Sequence, residues 1–218
     1  MANRNLGDQR RDYIAKPLRR ADLAENPFDQ FSRWYSDAEN HCVGYPNPMI
    51  LSTASESGQP SSRVVLLKSF DEQGFVFYTN YESDKGQQIA RNAQVSLLFF
   101  WEALERQVNI LGVAEKYSSV AADEYFASRP RRSQISACAS DQSRPIESRE
   151  ALQKRFEKIN QMHAGKTIPK PSSWGGYIVK PSSIEFWQGQ PDRLHDRLKY
   201  VSNSNRDNQS WSVERLSP

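Results

Sequence analysis

Between Asn26 and Ala38, aromatic residues recur at helical spacing, with Phe28, Phe31, Trp34 and Tyr35 on one stripe. Asn26 supplies an N-cap and Pro27 fits the first helical position, so the stripe predicts an amphipathic core helix through about Ala38. After Pro46 and Pro48 the hydrophobic period shortens. Segments 49–54, 61–69 and 75–79 read as successive strands, joined by turns at Ser57-Gly58 and Asp71-Glu72-Gln73-Gly74, which predicts an antiparallel meander. Segments 95–100 and 106–114 add two strands around Trp101-Glu102-Ala103-Leu104. A helical segment opens at Ser83, another runs over 121–129 and stops before Pro130, and Leu152, Phe156 and Ile159 mark a third, supported by a Glu150–Lys154 pair.

Beyond the stiff Pro169–Pro171 connector, Trp174-Gly175-Gly176-Tyr177 starts a strand that leads into Ile184, Phe186 and Trp187. Gly189, Pro191 and Asp192 carry turn chemistry. Arg193, His195 and Arg197 then alternate with Leu194, Asp196 and Leu198; on a strand this puts two guanidiniums and an imidazole on one face. Segment 211–216 is a final strand. Short antiparallel strands with interspersed helices predict a mainly β (α+β) fold with a barrel-like sheet, forming one domain over 21–218 behind a flexible basic arm over 1–20.

The 218 residues suit one domain with a real core, to which 10 Phe, 9 Tyr and 5 Trp contribute. A net charge of +3, from 29 basic and 26 acidic residues, does not suggest a nucleic-acid coat protein and leaves anion binding to local clusters. Cys42 and Cys138 form no C-x-x-C pair and read as reduced thiols of a cytoplasmic protein. The N-terminus has no apolar core of a signal peptide, and no apolar run is long enough for a membrane span.

The three histidines show no metal-ligand spacing, and G-x-S-x-G, G-x-G-x-x-G and Walker loops are all absent. What remains is a set of cationic clusters around Arg63, Lys68, Lys85, Arg129, Arg193 and Arg197. They suit one or two phosphorylated aromatic small molecules, or equally a solvated basic surface. The start of the helix at Ser83-Asp84-Lys85 fits a phosphate site and ordinary capping alike. In the arm, Arg10 and Tyr13 would supply charge and a stacking ring to a closing flap.

An ordered series of motifs resembles the pyridoxamine 5′-phosphate oxidase family. It comprises Arg63-Val64-Val65-Leu66-Leu67-Lys68, Phe77-Tyr78-Thr79-Asn80, Glu105-Arg106-Gln107-Val108 and Tyr125-Phe126-Ala127-Ser128-Arg129-Pro130. It continues through Ser133-Gln134-Ile135, Gln142-Ser143, Ser173-Trp174-Gly175-Gly176, Glu185-Phe186-Trp187-Gln188-Gly189, Arg193-Leu194-His195-Asp196-Arg197 and the closing Arg215-Leu216-Ser217-Pro218.

The resemblance implies an FMN-binding split β-barrel working as a homodimer, with sites at the subunit interface. Arg63 and Lys85 would hold the FMN phosphate, with Gln142 and Ser143 from the partner chain. Lys68, Tyr78, Thr79, Gln107, Trp187 and Arg197 would line the flavin. Lys68, Tyr125, Arg129 and Ser133 would take the substrate phosphate, with Arg193 and His195 over the pyridine ring. The implied reaction turns pyridoxamine or pyridoxine 5′-phosphate into pyridoxal 5′-phosphate, in vitamin B6 synthesis or salvage, by hydride transfer to FMN; dioxygen becomes hydrogen peroxide. Arg193 would position the reacting carbon. Arg63 and Lys68 are five apart, so one flavin reaches both only if the strand twists, bulges or ends between them. The family's Ser-Arg-Lys is Ser83-Asp84-Lys85 here, which implies weaker FMN binding or a compensating arginine. Ser136 and Cys138 also depart from the family pattern. The competing readings are another split-barrel flavoprotein, such as a flavin reductase, and a non-catalytic anion or nucleic-acid binder.

Overall fold

The computed structural model describes residues 12–41, 44–203 and 210–218. In chain order the elements are α1 (Pro27–His41), β1 (Pro48–Ala54), β2 (Pro60–Leu66), β3 (Ser69–Asp71), β4 (Gly74–Asn80), α2 (Asp84–Arg91), β5 (Gln94–Trp101) and β6 (Arg106–Lys116). They continue with α3 (Ser119–Ser128), α4 (Arg131–Ala139), α5 (Arg149–Met162), β7 (Trp174–Gln188), β8 (Asp196–Ser202) and β9 (Trp211–Leu216). The fold is mainly β with flanking helices. The strands hydrogen-bond in the order β2-β1-β5-β6-β7-β4-β3, and β8 pairs with β7 and β9.

Two compact units share these elements. The first comprises residues 1–46, 98–110 and 182–218, the second residues 47–97 and 111–181. In the first, the α1 stripe behaves as its spacing predicts: Asn26 Oδ1 accepts the Phe28 N–H at 2.9 Å, and Phe31 and Trp34 are buried. Phe31 packs edge-on against Phe99 at 5.1 Å and Trp34 against Phe186 at 5.1 Å. The β7–β8 register pairs Trp187 with Arg197 and Phe186 with Leu198.

In the second unit β1 and β2 form a hairpin that pairs Leu51 with Arg63. The expected continuation into a meander is corrected: β2 and the β3–β4 hairpin lie at opposite ends of the strand order. The strand expected over 61–69 breaks after Leu66. There the buried Leu67 exchanges hydrogen bonds with Asn47, at 2.9 and 3.1 Å, and the Lys68 N–H turns to the Val76 carbonyl at 2.9 Å. This break answers the Arg63–Lys68 question, because Arg63 sits on the strand and Lys68 beyond its end. β4 pairs with β7 from Phe75↔Val179 to Asn80↔Trp174.

Arg131-Arg132-Ser133 forms the first turn of α4, which Ile135 and Ala139 bury four residues apart. One further local expectation is corrected. Arg193 and His195 do not share a strand with Arg197: Asp192 and Arg193 both have positive φ, at 56° and 61°, in a 3-10 turn, and β8 begins only at Asp196. Residues 12–18, from the segment expected to be a flexible arm, make backbone hydrogen bonds to Glu105 and Asp196. Cys138 is a free thiol, and Cys42 lies outside the described residues.

Candidate active site

The second unit builds an anion site from the start of α2. Ser83 Oγ accepts the Gly86 N–H at 3.4 Å, so Ser83 caps the helix as well as facing Lys85, whose Nζ donates to it at 3.1 Å. Gly86 has to be glycine: a Cβ there would lie 2.1 Å from the Tyr81 carbonyl oxygen, so the helix start is seated directly on backbone. The Lys85 ammonium also donates to Gln142 Oε1 at 2.9 Å, and Gln142 Oε1 accepts from Thr79 at 3.3 Å. Lys85 is buried, and its hydrogen-bond partners are neutral oxygens.

Arg63 has the same character. It donates to Thr53 Oγ1 and Ser61 Oγ, both at 2.6 Å, and to the Leu51 carbonyl, while Gln88 Oε1 accepts from both hydroxyls. Burial pushes the Arg63 pKa down, and burial together with the Arg63 charge pushes the Lys85 pKa down; Asp84 opposes both shifts. Two neighbouring cations, Lys85 buried and Arg63 half-buried, held by neutral oxygens suit a dianionic phosphate, so these residues fit the phosphate end of FMN. Asp84 in turn lies 3.9 Å from Arg144, which donates to the Glu82 carbonyl at 3.2 Å. Arg144 is thus an arginine near Asp84, on the exposed side of the helix start.

A cavity of about 630 Å³ opens in this unit, walled by Lys68, Tyr78, Thr79, Lys85, Gln142 and, further along, Tyr125, Arg129, Ser133 and Trp174. Its volume is that of a small-molecule site. Arg63 is not on its wall. Tyr78 and Tyr125 stack at 4.3 Å, and Lys68 Nζ lies 5.7 Å from the Tyr125 ring centre. Arg129 Nη1 is buried with no hydrogen-bond partner among the described residues. Burial pushes the Arg129 pKa down, with Tyr125 and Cys138 acting in the opposite sense. A buried N–H of a cation without an acceptor is costly unless a ligand supplies one.

The first unit gathers a second cluster. The rings of Tyr13, Trp187 and His195 meet pairwise at 5.6, 5.3 and 4.8 Å. The Gln190 N–H donates to His195 Nδ1 at 3.1 Å, which leaves the proton of the neutral ring on Nε2. Arg193 is exposed on its turn, and Gln107 is half-buried on β6. Arg197 forks onto Glu185 at 2.7 and 3.1 Å and donates to the Ser217 carbonyl at 2.9 Å, using three of its five N–H groups. Glu185 raises the Arg197 pKa through this hydrogen bonding.

The structure thus collects the residues expected around phosphates in the second unit, and Tyr13, Gln107, Trp187, Arg193, His195 and Arg197 in the first. Gln142, which the resemblance implies comes from the partner chain, contacts Lys85 of its own chain at 2.9 Å. Ser143, beside it, is exposed with φ 68°. Arg10 lies outside the described residues. Several site-shaping residues carry no local signal: Gln88 joins Thr53 to Ser61 from 27 residues or more away, and Glu105 binds backbone 90 residues distant. Among the described residues there is no group of three His, Cys, Asp or Glu side chains placed to hold a metal, and no helix long and apolar enough to cross a membrane.

Comparison with known proteins gives a consistent match. Residues 36–163 match the family model described as pyridoxamine 5′-phosphate oxidase, and residues 174–218 match the pyridoxine 5′-phosphate oxidase C-terminal dimerisation region. A pyridoxine/pyridoxamine 5′-phosphate oxidase of Gloeothece citriformis is 48% identical over 216 residues, covering 99% of this chain and 100% of that protein. One from Crocosphaera subtropica is 51% identical over 209 residues, covering 96% and 97%. Among solved structures, PhzG from Burkholderia lata in complex with tetrahydrophenazine-1-carboxylic acid superposes with a TM-score of 0.84 at 30% identity, covering 94% of this chain and 99% of that one. An FMN-binding, pyridoxamine 5′-phosphate oxidase-related protein of Nostoc punctiforme shares the fold at a TM-score of 0.69 and 17% identity, covering 90% and 100%.

Proposed function

The chain belongs to the pyridoxamine 5′-phosphate oxidase family, whose fold is the split β-barrel, and from that premise we propose that it is an FMN-dependent oxidase making pyridoxal 5′-phosphate from pyridoxamine or pyridoxine 5′-phosphate. The observation that carries this reading is the partnerless, buried Arg129 Nη1 on a cavity wall that also presents Lys68, Tyr125 and Ser133. Those groups suit a phosphate ester, while Arg63 and Lys85 form a separate cationic pair suited to the phosphate of FMN. Two phosphate-ready subsites in one unit match a phosphorylated cofactor plus a phosphorylated substrate.

Lys68, Tyr78, Thr79, Gln107, Trp187 and Arg197 would bind the rest of the flavin. FMN, when bound, would take the hydride from the substrate carbon and pass its electrons to dioxygen, giving hydrogen peroxide. The chain's own residues bind, orient and shield. Arg129, Ser133 and Lys68 hold the substrate phosphate; His195, with its proton on Nε2, donates a hydrogen bond to a substrate oxygen; Arg193 positions the reacting carbon. Tyr13, packed on Trp187 and His195, excludes water. The match of 174–218 to a dimerisation region supports a homodimer, and we place the complete site at the interface of two copies.

A visible spectrum of FMN-loaded protein mixed anaerobically with pyridoxine 5′-phosphate tests the reading. Bleaching, recovery in air and formation of pyridoxal 5′-phosphate are expected. A bound flavin that never bleaches would favour another split-barrel activity, such as a flavin reductase or an oxidase acting on an unphosphorylated carboxylate. Protein that takes up no flavin would sink both.

A further inference from the structure

Arg129 is held in an unusual way. Its guanidinium carbon lies 4.8 Å from the ring centre of Trp174 and 5.6 Å from that of Phe126, and no carboxylate of the described residues pairs with it. Its main chain is fixed independently: the N–H donates to the Phe126 carbonyl at 3.3 Å, and the carbonyl accepts from Gln134 Nε2 at 2.8 Å. The only buried side-chain nitrogen or oxygen without a partner among the described residues is Arg129 Nη1.

Trp174 is well placed to be a rigid platform. It is 6% exposed, it opens β7 opposite Asn80, and its N–H donates to the Pro171 carbonyl at 3.0 Å. Tyr78 lies parallel to it at 5.4 Å with an interplanar angle of 7°, and Phe126 meets it edge-on at 5.2 Å. The indole therefore has little freedom to rotate away from the guanidinium.

A carboxylate in place of this platform would orient Arg129 equally well but would neutralise it and compete with any incoming anion. The face of an aromatic ring attracts the cation through its quadrupole and leaves the net charge intact. We propose that Trp174 is the positioning residue for Arg129, holding an uncompensated guanidinium ready for a phosphate ester and so setting the preference of this subsite for phosphorylated over unphosphorylated substrates. The identity of the ligand's phosphate rests on the oxidase reading; the anion subsite itself does not.

The test uses FMN-loaded protein, so that the Arg63–Lys85 pair is occupied, and titrates inorganic phosphate by calorimetry. Trp174→Leu is expected to weaken phosphate binding about tenfold, the size of a desolvated cation–π contact, and Trp174→Phe by less. Because Trp174→Leu opens the core, tryptophans of increasing fluorination placed at 174 serve as shape-preserving variants that drain the ring face of negative charge. Phosphate affinity should fall stepwise along that series while FMN affinity stays constant. A flat series, or a parallel loss of FMN affinity, would overturn the proposal by making Trp174 purely structural. In steady-state assays the same variants should raise KM for the phosphorylated substrate far more than they lower kcat. Phosphate binding that depends on Trp174 in a protein without oxidase activity would leave this proposal standing and remove the oxidase reading.

Discussion

The Glu105 carboxylate, 4% exposed, accepts the backbone N–H of Ile14 at 2.8 Å and that of Ala15 at 3.0 Å. One buried side chain thereby fastens a segment some 90 residues away in sequence and sets Tyr13 beside Trp187 and His195. Gly189 adds to the fit, since its N–H donates to the Glu105 carbonyl at 2.8 Å and a Cβ on it would lie 2.5 Å from the Tyr13 ring. Hydrogen bonds to a charged acceptor are worth about 1.5–3 kcal/mol. Glu105→Ala should therefore speed amide exchange at Ile14 and Ala15 by about tenfold or more, and Glu105→Gln, which keeps a carbonyl acceptor, by less. Mass-spectrometric hydrogen exchange reads this directly. Equal acceleration in β8 would mean global destabilisation and would remove Glu105 as a specific latch.

Asp84 and Arg144 offer a second check. The carboxylate stands beside the Arg63–Lys85 pair and opposes their lowered pKa values, so it also competes with a bound phosphate. Asp84→Asn is expected to tighten FMN binding about two- to fivefold and more at low salt, whereas Arg144→Ala should loosen it. Flavin fluorescence titration at two ionic strengths measures both. No tightening on removing Asp84 would show that its charge is already neutralised by Arg144.

The aromatic stripe of α1 and the alternation of β1, where Met49, Leu51 and Thr53 are buried, could be read from sequence because burial there follows one local period. The α4 helix could not: its segment, Arg131-Arg132-Ser133-Gln134-Ile135-Ser136-Ala137-Cys138-Ala139, buries only Ile135 and Ala139 and opens with charges that resemble a loop. Charge alternation at Arg193, His195 and Arg197 mimicked a strand, because sequence period does not reveal two consecutive left-handed residues in a turn. The phosphate-ready residues were legible as cations, but their lack of carboxylate partners was not. That property depends on Gln88, Gln142 and Trp174, which reach them only through the fold.

Arg106 should matter to stability rather than to ligand binding. Its Nε donates to Gln188 at 2.9 Å, an Nη donates to Asp37 at 2.6 Å, and its guanidinium carbon lies 4.5 Å from the Trp34 ring centre. Lysine keeps the charge but cannot reproduce the planar fork over the indole. Arg106→Lys is expected to cost about 1–2 kcal/mol and lower the melting temperature by several degrees. Asp37→Asn should cost less, because the carboxylate is half-exposed. Calorimetric melts of the two variants check the order; a larger loss for Asp37→Asn would place the main contribution in the ion pair instead of the stacked fork.

Lys85 gives a pH dependence whose sign follows from its burial. Its pKa is lowered first by desolvation and then by the charge of Arg63. Between that lowered value and the ordinary ammonium value, the unfolded chain holds more protons than the folded one. Stability contributed by this group therefore rises with pH across the window; the penalty is fully present below the folded pKa and gone above the ordinary one. A bound phosphate favours the ammonium and pulls the pKa back up, so binding takes up a proton in the same window. FMN affinity should then fall as pH rises through it. Lys85→Arg, which stays protonated, should remove that component of the fall, and Lys85→Gln should weaken binding about 10- to 100-fold below that window, the loss of one charge-assisted hydrogen bond, and by progressively less across it. Fluorescence titrations of FMN into wild type and both variants, from neutral to alkaline pH, isolate the lysine as the difference between the first two curves. Coinciding wild-type and arginine curves would mean that Lys85 does not hold the phosphate.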